Sequence, residues 1–212
     1  MKTTHSNIRI VRSNEELTTN GLLAIIGKEI SIAIGQKPIM RYEQILKYII
    51  NYIESENPSI LPDQTIAYHS WILKFVIERE DKYTLHEAAA DGSGYLKGAE
   101  TAISVISDQE SVCIEHGVGP LFCSFSQMVA VSNGVMDGLP IHGVRYLPES
   151  SMSGWWLYTD DYNGNIENMV PVHYYHIAFQ RPDILKYLAL PEKFRFFHSS
   201  HEKEVRYDAN VE

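Results

Sequence analysis

An α+β fold, with mixed or antiparallel sheets and a few packing helices, is what this sequence predicts, and three observations predict it. Apolar residues recur with a 3.6-residue period over 41–55, the mark of an amphipathic helix. Short segments rich in β-branched and aromatic residues return along the rest of the chain, as strands require. Gly, Pro and Asn-Gly signals punctuate the intervals between them.

Taken in order, "NIRIVRS" at 7–13 alternates apolar and polar side chains and reads as a short half-buried strand. "LLAIIGKEISIAI" fits two patterns. Leu22, Leu23, Ile26, Ile30 and Ala33 mark a helical face, Ile30, Ile32 and Ile34 mark a strand, and Gly21 and Gly27 weaken the helix. Tyr42, Ile45, Leu46, Ile49 and Ile53 define the 41–55 helix, which Asn57-Pro58 stops. "TIAYHSWILKFVIE" is one strand or a bent pair, and "YTLHEAAADGSG" is a partner strand running into a glycine turn. Ala99, Ala102, Ile103 and Ile106 space as a short helix, and "VCIEHG" as a strand or a helix end. The Gly-Pro punctuation of "GVGPLFCSFS" places a domain boundary near residue 120, with an N-terminal α/β portion at 1–120 and a second domain at 121–212.

Beyond it, "MVAVS", the turn "NGVMDG" and "PIHGVRYLP" read as a hairpin-like unit over 128–147. "GWWLYTDDYNG" is a further strand and turn. "RPDILKYLALP" is a short helix with Pro182 at its start and Ile184, Leu185 and Leu188 on one face. "KFRFF" closes as an edge strand.

Of 212 residues 44% are hydrophobic and 21% charged, a mix that supports a folded core. With 18 Lys and Arg against 27 Asp and Glu, a formal charge of -9 opposes nucleic-acid binding and favours a basic partner. Two cysteines supply no disulfide framework, so a reducing compartment is expected. The N-terminal "MKTTHSNIRIVRSNEEL" has no basic start followed by an apolar stretch, and no segment reaches the roughly 20 apolar residues of a spanning helix. These features point to a cytoplasmic protein with no membrane partner.

The chain offers no persuasive catalytic set. His173 with His176, and His198 with His201, stand at i, i+3, a spacing that converges only on a helix, whereas 172–175 reads as strand or loop. Cys113 and His116 in "CIEH" read as a buried structural thiol and its neighbour. No P-loop, Gly-x-Ser-x-Gly elbow or HExxH is present, so neither a metal nor an organic cofactor is expected.

"VAVSNGVMDGLPIHGVRYLPE", "SGWWLYTDDYNGN" and "RPDILKYLALPEKFRF", in that order, resemble the Imm33-like immunity-protein family over roughly residues 127–197. The family pattern joins a "VS...V..G.P.....R" unit, an "SGW" strand, an acidic segment and a "PDI..YL..P" ending. Two loops depart from it. Tyr158, Thr159, Asp160 and Asp161 replace a Gly-Asp-Glu type segment, and Glu192-Lys193 stands where the family has glycine.

The resemblance implies an immunity protein that binds and neutralises a cognate toxin or effector without catalysis of its own. The acidic balance suits a target with a basic active-site groove. On a strand Trp155 and Trp156 must point to opposite faces, one into the core and one outward. Trp156, Tyr158, Asp160, Asp161, Tyr162 and Glu167 are therefore the candidate partner-binding residues. The alternatives are a small metal-dependent hydrolase using His173, His176 and Asp160 or Asp161, and a non-catalytic adaptor.

Overall fold

The structure, a computed structural model of the chain, describes residues 7–211. The first six residues, part of the segment read for a targeting signal, lie outside the described residues. The chain divides into two compact units, one up to Ser104 and one from Val105. The division falls inside a helix, ahead of the Gly-Pro segment at 117–120 where the sequence suggests a boundary.

The first unit contains β1 (Arg9–Arg12), β2 (Glu16–Asn20), α1 (Leu23–Ile26), β3 (Glu29–Ala33), α2 (Ile39–Glu56), β4 (Thr65–Tyr68), β5 (Trp71–Arg79), β6 (Lys82–Ala88) and β7 (Tyr95–Lys97). Its sheet runs β1-β2-β3-β6-β5-β4, with β7 also on β6. The β3–β6 pair is parallel and the other pairings are antiparallel. Both readings of 22–34 are realised in succession, because Gly27, at φ 77°, ends α1 and lets β3 begin. Tyr42, Ile45, Leu46, Ile49 and Ile53 of α2 are all buried, as the period predicts. The long apolar run at 65–78 is two strands, turned at His69. Strand β1 is mostly exposed rather than half-buried.

Helix α3 (Glu100–Glu115) spans the division and takes in "VCIEHG" as its C-terminal end. The buried Glu87 carboxylate accepts hydrogen bonds from the N–H groups of Thr101 and Ala102 at 2.9 and 2.7 Å, satisfying donors that a helix start leaves open. Burial nevertheless pushes the Glu87 pKa up.

The second unit adds β8 (Met128–Val131), β9 (Ile141–Arg145), β10 (Met152–Tyr158), β11 (Val170–His173), α4 (Tyr174–Gln180), a 3-10 turn (Pro182–Tyr187), β12 (Phe194–His198) and β13 (Lys203–Tyr207). The sheet order is β11-β8-β10-β9-β12-β13. Strand β10 enters between β8 and β9, parallel to the first and antiparallel to the second, so 128–147 is not a hairpin. The "KFRFF" strand is interior, since β13 pairs beyond it and forms the edge. The segment read as a helix after Pro182 is the 3-10 turn, and it buries Ile184, Leu185 and Tyr187.

One face of this sheet is covered. Trp155, fully buried, donates its indole N–H to the Leu188 carbonyl at 3.0 Å, and Gln109 of α3 donates to the Leu185 carbonyl at 3.0 Å. Opposite Trp155 on β9 stands Arg145, only 1% exposed. Its guanidinium donates to the carbonyls of Leu121 (2.6 Å), Leu190 (2.7 Å), Leu188 (3.3 Å) and Ser153 (3.1 Å), and lies over the Trp155 ring. Burial lowers its pKa, and the four carbonyls give the desolvated cation its hydrogen-bond partners.

Two glycines permit the packing. Gly143 lies under Phe196, where a β-carbon would come within 2.1 Å of the ring. Gly154, at φ 83°, sits where the β8–β10 register shifts, with the Tyr146 carbonyl 2.3 Å from the position of its missing β-carbon.

Replacing Arg145 with Ala is expected to cost about 3 kcal/mol or more, because several buried carbonyls lose their donor together. Arg145→Lys, which keeps the charge without the fork, should lose less; equal loss in both variants under urea denaturation would show that the fork is dispensable. Leu188→Ala should cost about 2 to 5 kcal/mol, since Leu188 is fully buried. An unchanged melting temperature would refute that placement.

Candidate functional site

The alternation that buries Trp155 and Leu157 turns Trp156 and Tyr158 onto the opposite, uncovered side of the sheet. Strand register extends that side across β9 and β12. Trp156 is opposite Val144 and Tyr158 is opposite His142, while Arg195 and Phe197 stand opposite the same two β9 residues from the other flank. Glu204 and Arg206 of β13 continue the rows beside Phe197 and Arg195.

Aromatic contact runs along this face. The His142 ring stacks on Tyr158 at 5.3 Å and 16°, and packs against Phe197 at 4.7 Å. Tyr162 leans on Tyr158 at 5.5 Å. His142 Nε2 lies 2.8 Å from Asp160 Oδ1, an ion pair whenever the imidazole is protonated. A recess of about 310 Å3 opens here, lined by His142, Tyr158 and Phe197 and rimmed by Asp160, Glu202 and Glu204. Arg195 and Arg206 also line it. The Arg195 guanidinium lies 2.8 Å from the Asp208 carboxylate, whose pKa is held down by the Asn210 backbone N–H and by Arg195 itself. Along the same strand pair, Trp156 packs edge-on against Tyr146 at 5.8 Å and lines a second recess of about 400 Å3 with Leu147, which is 69% exposed.

The candidate residues from the sequence are thus partly united. Trp156, Tyr158, Asp160 and Tyr162 adjoin one face. Asp161 lines a separate small recess with Tyr162, Asn163 and Asn168. Glu167 lies in an exposed 3-10 turn (Ile166–Asn168), its backbone N–H donated to the Asn165 side chain. His142, Phe197, Glu202 and Glu204 belong to the face and were missed. The period-two pattern of "IHGVR" and "FRFFH" sets His142 and Phe197 opposite the core residues, but only the strand order brings them beside Tyr158.

The groups of the hydrolase alternative are engaged separately. His173 Nδ1 is 3.1 Å from the Ser126 carbonyl and its ring stacks on Tyr175, whereas Asp160 pairs with His142. The His173 and His176 rings are 6.5 Å apart. Among the described residues no group of three or more His, Cys, Asp or Glu side chains is placed to hold a metal. Cys113 and Cys123 are buried free thiols, and burial pushes the Cys113 pKa up to about 11, away from a reactive thiolate. Among the described residues no helix is long and apolar enough to cross a membrane.

No curated protein and no solved structure matches the chain. A family model does, over residues 108–208: it begins within α3, includes the whole six-stranded sheet with Arg145, Gly154 and Trp155, and ends just after β13. Residues 108–208 of this chain match the Imm33-like domain.

Proposed function

We propose that this protein is an immunity protein that binds a cognate toxin or effector and neutralises it by covering the toxin's active site, acting in the cytoplasm of the producing cell and without turnover of its own. The observation that carries the reading is the uncovered sheet face of an Imm33-like domain, where Trp156, Tyr158, His142 and Phe197 form a connected aromatic surface rimmed by carboxylates. Aromatic side chains on a rigid sheet bury much area at small entropic cost, as binding anchors must. The rim of Asp160, Glu202 and Glu204 attracts Lys or Arg, and Asp208 already offsets the Arg195 charge. A basic catalytic groove is the target chemistry this suits. Asp161 and Glu167, farther along the loop, contribute to the long-range field rather than to the aromatic contact.

Two measurements test this with the product of the neighbouring toxin gene as ligand. Asp160→Lys with Asp161→Lys should leave the melting temperature nearly unchanged, since exposed charge swaps move stability by about 0.5 kcal/mol or less. The same variant should associate more slowly and with a weaker dependence on salt. Binding like the parent across a salt series would remove the acidic loop from the interface. Trp156→Ala should weaken the complex by about 2 kcal/mol or more, the effect expected of a central anchor. If it and Phe197→Ala both bind and protect as the parent does, the sheet face is not the contact.

A further inference from the structure

We propose that β13 joins the β13 of a second copy of this chain, edge to edge, so that two Imm33-like domains share one continuous sheet. The proposal rests on the fold of this domain and not on the toxin-binding reading.

Strand β13 ends the sheet, paired on one side with β12. The backbone groups that remain open can be identified from its two ends. The Glu202 carbonyl accepts from Ser199 N–H at 2.9 Å, and Asp208 N–H donates to the Lys193 carbonyl at 2.8 Å. Positions 202 and 208 therefore address the β12 side, and by alternation so do Glu204 and Arg206. Lys203, Val205 and Tyr207 direct their N–H and carbonyl groups to the open edge.

The strand reads Lys-Glu-Val-Arg-Tyr. Antiparallel pairing with itself about Val205 sets Val205 opposite Val205, Lys203 opposite Tyr207, and Glu204 opposite Arg206. Each outward-directed residue then meets an outward-directed residue, so each of these pairs exchanges both ladder hydrogen bonds. Glu204 and Arg206 of the two copies form reciprocal ion pairs on the uncovered face, and Lys203 reaches the Tyr207 ring on the other. Within one chain Arg206 and Glu204 are 3.9 Å apart and both exposed, so they are at liberty to exchange partners.

Neighbouring registers fail. A centre at 204 opposes two glutamates and a centre at 206 opposes two arginines, in each case across a non-hydrogen-bonded pair where the side chains lie closest. Charges on an edge strand ordinarily repel foreign strands. Here the same charges are self-complementary, and Tyr207 is left 60% exposed beside the edge. The two-fold axis of such a pairing stands perpendicular to the sheet. Both aromatic faces consequently lie on the same side, each recess next to the seam through its own Glu204 and Arg206.

The test uses the full chain in sedimentation equilibrium over a concentration series. The parent should show a monomer–dimer equilibrium. Glu204→Arg alone and Arg206→Glu alone should each weaken it by about ten-fold or more, since two ion pairs become two repulsions. An equimolar mixture of these two variants should recover parental affinity as a heterodimer, because each arginine again faces a glutamate. Val205→Pro removes an N–H that faces outward and should abolish the dimer while leaving the circular dichroism spectrum and melting temperature close to parental. A strictly monomeric parent overturns the proposal. So does a dimer indifferent to the single reversals, or a mixture of variants that fails to associate.

Discussion

A buried guanidinium organises the second unit. Arg145 is a cation taken out of water and partnered by neutral acceptors: the carbonyls of Leu121, Ser153, Leu188 and Leu190. Desolvation of such a charge is tolerable only if its donors are matched with good geometry, and arginine's planar fork is the side chain that can reach several acceptors at once. Three stretches of chain far apart in sequence, around 121, 153 and 188–190, must then hold their positions together. Leaving any one of them strands a donor in the core, so the requirement couples segments that local propensity would leave independent.

That coupling fixes which tryptophan faces out. Trp155 is held inward by the Leu188 carbonyl, the Arg145 guanidinium and the Phe196 ring at 5.4 Å. Its neighbour is turned to the uncovered face by the pleat alone. A slip of one residue would exchange the two faces, and the bulge at Gly154 pins the register against it. The surface chemistry of Trp156, Tyr158, His142 and Phe197 is therefore set from beneath, by core residues that never reach it.

Much of this was legible in sequence where a single period decides the outcome. The α2 face and the opposed tryptophans follow from spacing alone, and the ordered motifs with "SGW" identify the family domain. Other features were not legible, for stated physical reasons. The turn residues of "NGVMDG" are real, since Gly134 and Gly138 both take positive φ, yet they bound a 3-10 turn (Val135–Asp137) rather than a hairpin. Nothing local announces that β10 will enter between the strands on either side. Of 172–175, read as strand or loop, the first two residues end β11 and Tyr174 and Tyr175 begin α4, where burial of Tyr174, Ile177 and Ala178 overrides local propensity. Strand β13 is short and charged, the composition of a loop. The residues missed at the candidate site, His142 and Phe197, lie on strands separated from Tyr158 in sequence, so pairing rather than proximity assembles them.

The position of β10 also bears on how the domain acquires its structure. Its antiparallel join to β9 closes over a short connection, whereas its parallel join to β8 brings together segments about a strand and two turns farther apart. Loop-closure entropy makes the first contact fast and the second late, which predicts high φ-values in the β9–β10 pair and low ones along β8. Until β8 docks, the flank of β10 that carries the Gly154 bulge is a bare strand edge, open to pairing with the wrong strand.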